Sequence, residues 1–454
     1  MSNDAARKSE DSPQVTREIS EWTARFANRD VTPSARTWAT HTLLDWAGVT
    51  VAGAREPLAQ ILTTQYAEDD GPCTVIATGK RARAHDAAML NGSAGHALDY
   101  DDVNASLHGH PSVPVAPVVL ALGETLGATG EDVIRAFIAG YEVECAIGSM
   151  AGDEHYNNGF HATGTMGTFG AAAAAANLMG LNAEQTMNAL GIAATQASGI
   201  KSMFGTMTKP FHAGKAAMNG LIAAQIAAKG FTAGKDAIEC QQGFMDVAAP
   251  GFQARSFSAG GNVPMEVEKN LFKYHASCYL THSTIEAVAA IRRQHEIDLD
   301  DLKELKIFMA PASRKVCDIP DPDSGLEIKF SIRHLAAMAL DGVNTAALES
   351  YTDETAKADK YAKARQKITI VEKELSGRHA GAVSIETTDG RTMVGEVDVG
   401  RPATDVEEQW RKLEHKARTI MRPGVGDERT DEIVEAIASL ADAPSIDRLM
   451  AALT

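Results

Sequence analysis

Residues Gly170–Ala176 read GAAAAAA, a stretch with no polar face. Alanine is the strongest helix former. A helix apolar all round is buried and closely packed by neighbours. Ala216–Ala228 is a second alanine-dense stretch. The chain must therefore supply further helices to enclose at least two central ones. Trp22 and Phe26, then Trp38, Leu43, Leu44 and Ala47, recur at mostly three- and four-residue spacing, and helical patterning runs from Val15 to about Gly260. At 454 residues the chain is too long for one core and suggests two or three folding units.

Beyond Gly260 the period changes. Glu304–Met309 alternates, with Leu305, Ile307 and Met309 on one face. Lys367–Val371 and Ala382–Thr388 read as strands, and Asp389-Gly390 is a hairpin signal before a return strand through Met393, Gly395 and Val397. Helical patterns interrupt at Ser283–Gln294 and Ile332–Leu340, and resume at Val406–Met421 and Asp431–Leu440. The expected fold is mainly α: a large all-helical domain over 15–265, to which 403–454 returns, plus a smaller α+β lid domain over 266–402. Residues 1–14 are polar and expected to be disordered.

Charge and cysteine usage narrow the function. Lys plus Arg is 43 against 60 Asp plus Glu, a net charge of −17, the wrong sign for a nucleic-acid binder or an anionic membrane surface. Five dispersed cysteines with no CxxC pair argue against a disulfide framework or a thiolate zinc cage, and fit a reducing, cytoplasmic setting. No run approaches membrane-spanning length, and MSNDAARKSEDSPQ lacks the apolar core of a secretory leader. GxGxxG, P-loop and GxSxG motifs are absent.

Nine of the 14 histidines lie between His85 and His282, and four segments of unusual local sequence stand out. Asn91–Pro117 holds Asp99, Asp101 and Asp102 with the pair His108 and His110, in a loop made by Gly109, Pro111 and Pro114. A His–Asp pair doing acid–base or hydrogen-bonding work is favoured there over a metal, because no third ligand has recognisable spacing. In Gly152–Leu181, His161 precedes a helix for which Thr163 or Thr165 is the expected N-cap. Such a helix start suits a carboxylate and favours neutral imidazole. In Gly205–Gly230, Lys209, His212 and Lys215 open an apolar helix, where cations are costly to bury unless an anion meets them. In Leu271–His282, Lys273, His275, Ser277, Cys278 and His282 crowd together; Cys278 reads as a small buried residue. Cations gathered locally in an acidic chain suit a pocket for a small di- or tricarboxylate.

At these residues the chain resembles the MmgE/PrpD family, which includes 2-methylcitrate dehydratase, cis-aconitate decarboxylase and iminodisuccinate epimerase. HALDYDD…HGHPS, GFHATGTMGTFGAAAAAANLMGL, FGTMTKPFHAGKAA and KYHASC…TH carry the resemblance, which runs from about residue 15 to the C-terminus. It implies a helical domain with an α+β lid, a homodimer, and no required metal or organic cofactor. It places pocket residues at Asp99, His110, His161, Lys209 and Lys273, with Tyr156 matching some relatives. Val103 stands where decarboxylase and dehydratase members often carry Thr, and the FGTMTKPFHAG block looks closer to epimerase-like members.

The reactions of that family share negative charge on a carbon beside a carboxylate or imine, which fixed cations and donors must stabilise. Lys209 and Lys273 are expected to hold carboxylates, His161 or His110 to move the proton, and Asp99 to orient an imidazole or bind a leaving hydroxyl. His212, Tyr156, Thr163 and His108 are expected to contact substrate. The leading expectation is a cofactor-independent lyase or isomerase on a small polycarboxylate. A non-catalytic dimeric scaffold or ligand sensor is the alternative from another class. A metal hydrolase built on His108, His110 and Asp102 is the third.

Overall fold

A computed structural model describes residues 13–261, 263–377 and 379–454. All of the expected disordered tail except Pro13 and Gln14 lies outside the described residues. The chain forms two units, Met1–Asn270 with Met421–Thr454, and Leu271–Ile420.

The first unit is built from α1 (Val15–Arg25), α2 (Pro33–Gly53), α3 (Pro57–Tyr66), a short hairpin of β1 (Cys73–Val75) and β2 (Lys80–Ala82), and α4 (Ala84–His96). Then come α5 (Ser112–Leu126), α6 (Gly130–Asn157), α7 (Ala162–Leu178), α8 (Ala183–Ala194), α9 (Thr208–Ala227) and α10 (Phe244–Ala248). The alanine-rich helix is α7, buried from Ala162 to Asn177, and α5, α6, α8 and α9 pack around it. Small residues let these backbones approach closely. A Cβ at Gly220 of α9 would sit 2.6 Å from Ala172 N of α7. One at Gly214 would collide with the Met89 carbonyl of α4. The hairpin, which helical patterning alone did not anticipate, packs Cys73, Val75 and Ala82 on Met89 and Leu90 of α4.

The second unit contains α11 (Tyr279–His295), β3 (Leu302–Met309), α12 (Pro311–Cys317), α13 (Gly325–Ile328), α14 (Ile332–Leu340), α15 (Asp353–Lys357) and α16 (Asp359–Arg365). β4 (Ile368–Glu372), β5 (Ala380–Thr387) and β6 (Thr392–Asp398) follow. The sheet order is β4-β3-β5-β6, parallel between β3 and β4 and antiparallel elsewhere. Asp389-Gly390 turns β5 into β6 as the sequence indicates, with Gly390 at φ 89°. Leu305, Ile307, Val383 and Ile385 are buried, and α11 lies against β5 and β6.

The chain ends with α17 (Val406–Ala438) and α18 (Asp447–Leu453). Residues 403–420, read from the sequence as part of the helical domain, belong to the second unit. There Lys412 Nζ meets Glu286 Oε1 of α11 at 3.4 Å. No described helix is long and apolar enough to cross a membrane.

Candidate active site

The site in the first unit is assembled where α4, α7 and α9 begin or end. α4 stops at His96, and the next turn puts Asp99 in a left-handed conformation, φ 50°. That conformation is uncommon for a residue with a side chain and marks a constrained loop. The loop then buries Asp101 completely. His96 Nδ1 lies 2.9 Å from Asp101 Oδ2, and His110 Nδ1 lies 3.0 Å from the same oxygen. His110 Nε2 is 3.5 Å from Asp99 Oδ1, to which Lys209 Nζ donates at 2.8 Å.

α6 breaks at Gly152, φ 62°, and the chain returns through Phe160 to His161. His161 N donates to Gly199 O at 3.0 Å and Lys201 N to Gly159 O at 2.7 Å, pairing the two backbone segments. Gly199 allows this approach: at φ 140° its hypothetical Cβ would lie 3.2 Å from His212 Nδ1. His161 is itself the N-cap of α7, two residues before Thr163 and four before Thr165, the caps the sequence suggested. Thr163 is free of the capping role because its Oγ1 accepts the backbone N–H of His110 at 3.0 Å. His161 Nδ1 faces His212 Nδ1 of α9 at 3.1 Å. The His161 ring stacks on His96, with centroids 5.7 Å apart, and meets Phe204 edge-on at 5.0 Å.

Burial sets the protonation of this group. His96 is pulled down to about 4, first by desolvation, against the pull of Asp101. His161 falls well below the usual imidazole range, first by desolvation and then through His96 and Lys209. His212 is lowered too, by burial and then Lys209. Burial alone would raise Asp101, but His110 and His96 overcome it and hold the carboxyl well below its usual range. At neutral pH the group thus comprises neutral His96, His161 and His212, an ionised Asp101, and the Lys209 ammonium. Two facing Nδ1 atoms bond only if one carries hydrogen and the other a lone pair. The ring that donates through Nδ1 then has an accepting Nε2, and the ring that accepts through Nδ1 carries its hydrogen on Nε2.

The structure therefore brings together Asp99, His110, His161, Thr163, Lys209 and His212. It places His108 Nδ1 against Asp153 Oδ1 at 3.4 Å. Tyr156 lies under Lys201 Nζ, 3.6 Å from the ring centroid. Lys273 belongs to the second unit, where it is buried and bears on His282. The trio His108, His110 and Asp102 does not form: Asp102 is buried against the Ser112 hydroxyl. Among the described residues, the set with metal-ligand spacing is His96, Asp99, Asp101 and His110, whose ligand atoms lie within 4.8 Å of one another. There one Asp101 carboxylate already serves both rings and Lys209 supplies the positive charge. His96 and Phe204 were passed over in the sequence. His96 opens the HALDYDD motif, and its spacing to Asp101 across a helix end is the signal that points to it.

Residues 17–256 match the MmgE/PrpD N-terminal domain, and residues 275–441 match the MmgE/PrpD C-terminal domain. The chain belongs to the MmgE/PrpD family. Among curated relatives of this MmgE/PrpD chain, cis-aconitate decarboxylase of Aspergillus terreus (strain NIH 2624 / FGSC A1156) is 28% identical over 464 residues, covering 94% of this chain and 93% of the relative. The cis-aconitate decarboxylase-like protein oryM of Aspergillus oryzae (strain ATCC 42149 / RIB 40) is 25% identical, covering 97% of each. Human cis-aconitate decarboxylase is 30% identical over 274 residues, covering 56% of this chain and 55% of the relative. Asp99, His110, His161 and Lys209 all fall within the MmgE/PrpD N-terminal match, and Lys273 falls just before the C-terminal one.

Proposed function

We propose that this chain is a lyase that decarboxylates a small tricarboxylate of the cis-aconitate type, working as a cytoplasmic homodimer without an organic or metal cofactor. The observation that carries the reading is one linked cluster: His110 on the buried Asp101 carboxylate, Lys209 on Asp99, and His161 against His212. Relatives named as cis-aconitate decarboxylases along nearly the whole chain support it over dehydration or epimerisation.

In the proposed step the bond from carbon to a carboxylate breaks and CO2 leaves with no charge. The electron pair stays on the carbon framework, and one proton quenches it, so a trianion plus a proton gives a dianion plus CO2. Asp99 is half-exposed, so Lys209 can exchange it for a substrate carboxylate and stabilise the developing charge. An arriving trianion opposes the desolvation that keeps His161 neutral and raises its proton affinity. His161 then delivers the proton, with His212 fixing its ring and tautomer. General acid help of this kind is worth about 10²–10⁴-fold in rate. Lys273 is assigned a carboxylate contact on the family resemblance alone, and Lys273→Ala tests that separately.

The test is proton NMR in D2O with cis-aconitate, 2-methylcitrate, citrate and iminodisuccinate as separate substrates, with and without chelator. The expected result is CO2 loss from cis-aconitate with one deuterium added to carbon, unaffected by chelation. Lys209→Ala and His161→Ala should lose turnover while melting normally. Water loss from 2-methylcitrate, or exchange without CO2 loss from iminodisuccinate, would replace decarboxylation by that reaction. No change in any acid would leave the ligand-sensor reading. Light scattering tests the dimer.

A further inference from the structure

The second unit holds a cavity of about 540 Å³ whose lining lies entirely within residues 274–416. That size suits a small-molecule ligand. Five permanent cations line it: Arg292 and Arg293 from α11, and Arg411, Lys412 and Lys416 from α17. Only two carboxylates, Glu286 and Glu408, are in the same lining. Glu408 is taken by Arg411 at 2.6 Å, and Glu286 by Lys412 at 3.4 Å and His275 at 3.5 Å. The lining therefore keeps a net charge of about +3 with histidines neutral, in a chain of net charge −17.

One detail points to a ligand rather than a solvated charged face. Arg292 Nε is buried and meets no acceptor among the described residues. Asp341 is within electrostatic reach of Arg292, yet it is already held by Lys360 Nζ and Tyr361 Oη, both at 2.7 Å. Three guanidiniums converge on one cavity, and their planar forks suit oxyanions bound through paired hydrogen bonds.

We propose that this cavity is a second anion site, separate from the candidate active site, for a small ligand bearing closely spaced oxyanions. Phosphate-bearing and polycarboxylate ligands share that chemistry. The test is calorimetric titration of the full chain with pyrophosphate and, separately, with citrate. Lys209→Ala protein serves to silence the anion contact of the candidate active site. Expected is one equivalent of anion bound by Lys209→Ala protein, with affinity falling about tenfold or more in R293Q/R411Q. Both replaced arginines are exposed, so the fold should survive, and basal turnover should be unchanged. Tighter pyrophosphate binding assigns the site to phosphate-bearing ligands; tighter citrate binding assigns it to polycarboxylates. No binding of either at millimolar concentration overturns the proposal. So does binding that is lost in Lys209→Ala and kept in R293Q/R411Q. Binding is read without turnover, so failure here leaves the lyase reading standing.

Discussion

Asp101 and Asp102 are neighbours, fully buried, and titrate in opposite directions. Two imidazoles keep Asp101 ionised against its burial. Asp102 has no such partner: burial first, then the charges of Asp45 and Asp101, push it up to about 8 despite the Ser112 hydroxyl. The native protein thus holds a proton on Asp102 that the unfolded chain releases above about pH 4. Asp102→Asn keeps the shape and removes the penalty. Its stability advantage over the parent should grow from about pH 4 to about pH 8, by roughly 1.4 kcal/mol per pH unit. Melting temperatures across that range check it, and a pH-independent difference would mean the native carboxyl is ionised. At this scale the sequence was legible where cations are costly. Lys209 and His212 stood out because they open an apolar helix; Lys209 is met by the Asp99 carboxylate, whereas His212 is not a cation there but a lowered imidazole facing His161. Their partners lie 110 and 51 residues away, and no local spacing encodes that.

At the scale of elements, α9 is the lever that carries Lys209 and His212 to the other side chains. It can do so only because Gly214 and Gly220 let it approach α4 and α7. Gly214→Ala should force α9 away from the Met89 carbonyl, a backbone atom that cannot rotate aside. The expected cost is about 1–3 kcal/mol of overpacking, which outweighs the gain of about 1 kcal/mol from replacing a helical glycine. Turnover should fall with it, since the 2.8 Å Lys209–Asp99 contact depends on the seating of α9. Gly234→Ala is the control, because nothing lies within 4 Å of its hypothetical Cβ. Equal melting temperatures for the two variants would refute the close-packing argument. Alanine density announced a buried central helix, and α7 is one. The start of α7 was misjudged because N-cap preference considers a threonine's own helix, whereas Thr163 is recruited by His110. The β1–β2 hairpin was missed because three-residue strands carry too few positions to show alternation.

At the scale of the whole molecule, buried titratable groups set a pH optimum for stability. Seven histidines are lowered on folding: His41, His96 and His334 to about 4, and His155, His161, His212 and His282 by burial as well. The unfolded chain protonates them near their ordinary 6.5 while the native protein resists, so stability falls as pH drops below about 6.5. Three carboxyls act the other way: Asp102 and Glu142 at about 8, and Glu144 raised well above its ordinary range, all first by burial. They stay protonated in the native state and ionise on unfolding, so each removes stability as pH rises from about 4 towards 8. Below pH 6.5 the histidines outnumber the carboxyls and acid destabilises. Above it the histidines no longer contribute, and the carboxyls act alone until the buried thiols of Cys73, Cys145 and Cys317, raised chiefly by burial, add to them. The melting temperature should therefore peak near pH 6.5 and decline on both sides. Calorimetry in buffers of different ionisation heat should show net proton uptake on unfolding at pH 5.5 and net release at pH 7.5, as order-of-magnitude targets for the two limbs. A melting temperature that climbs steadily from acid to alkaline pH would mean that Asp102, Glu142 and Glu144 are ionised in the fold and solvated rather than sealed.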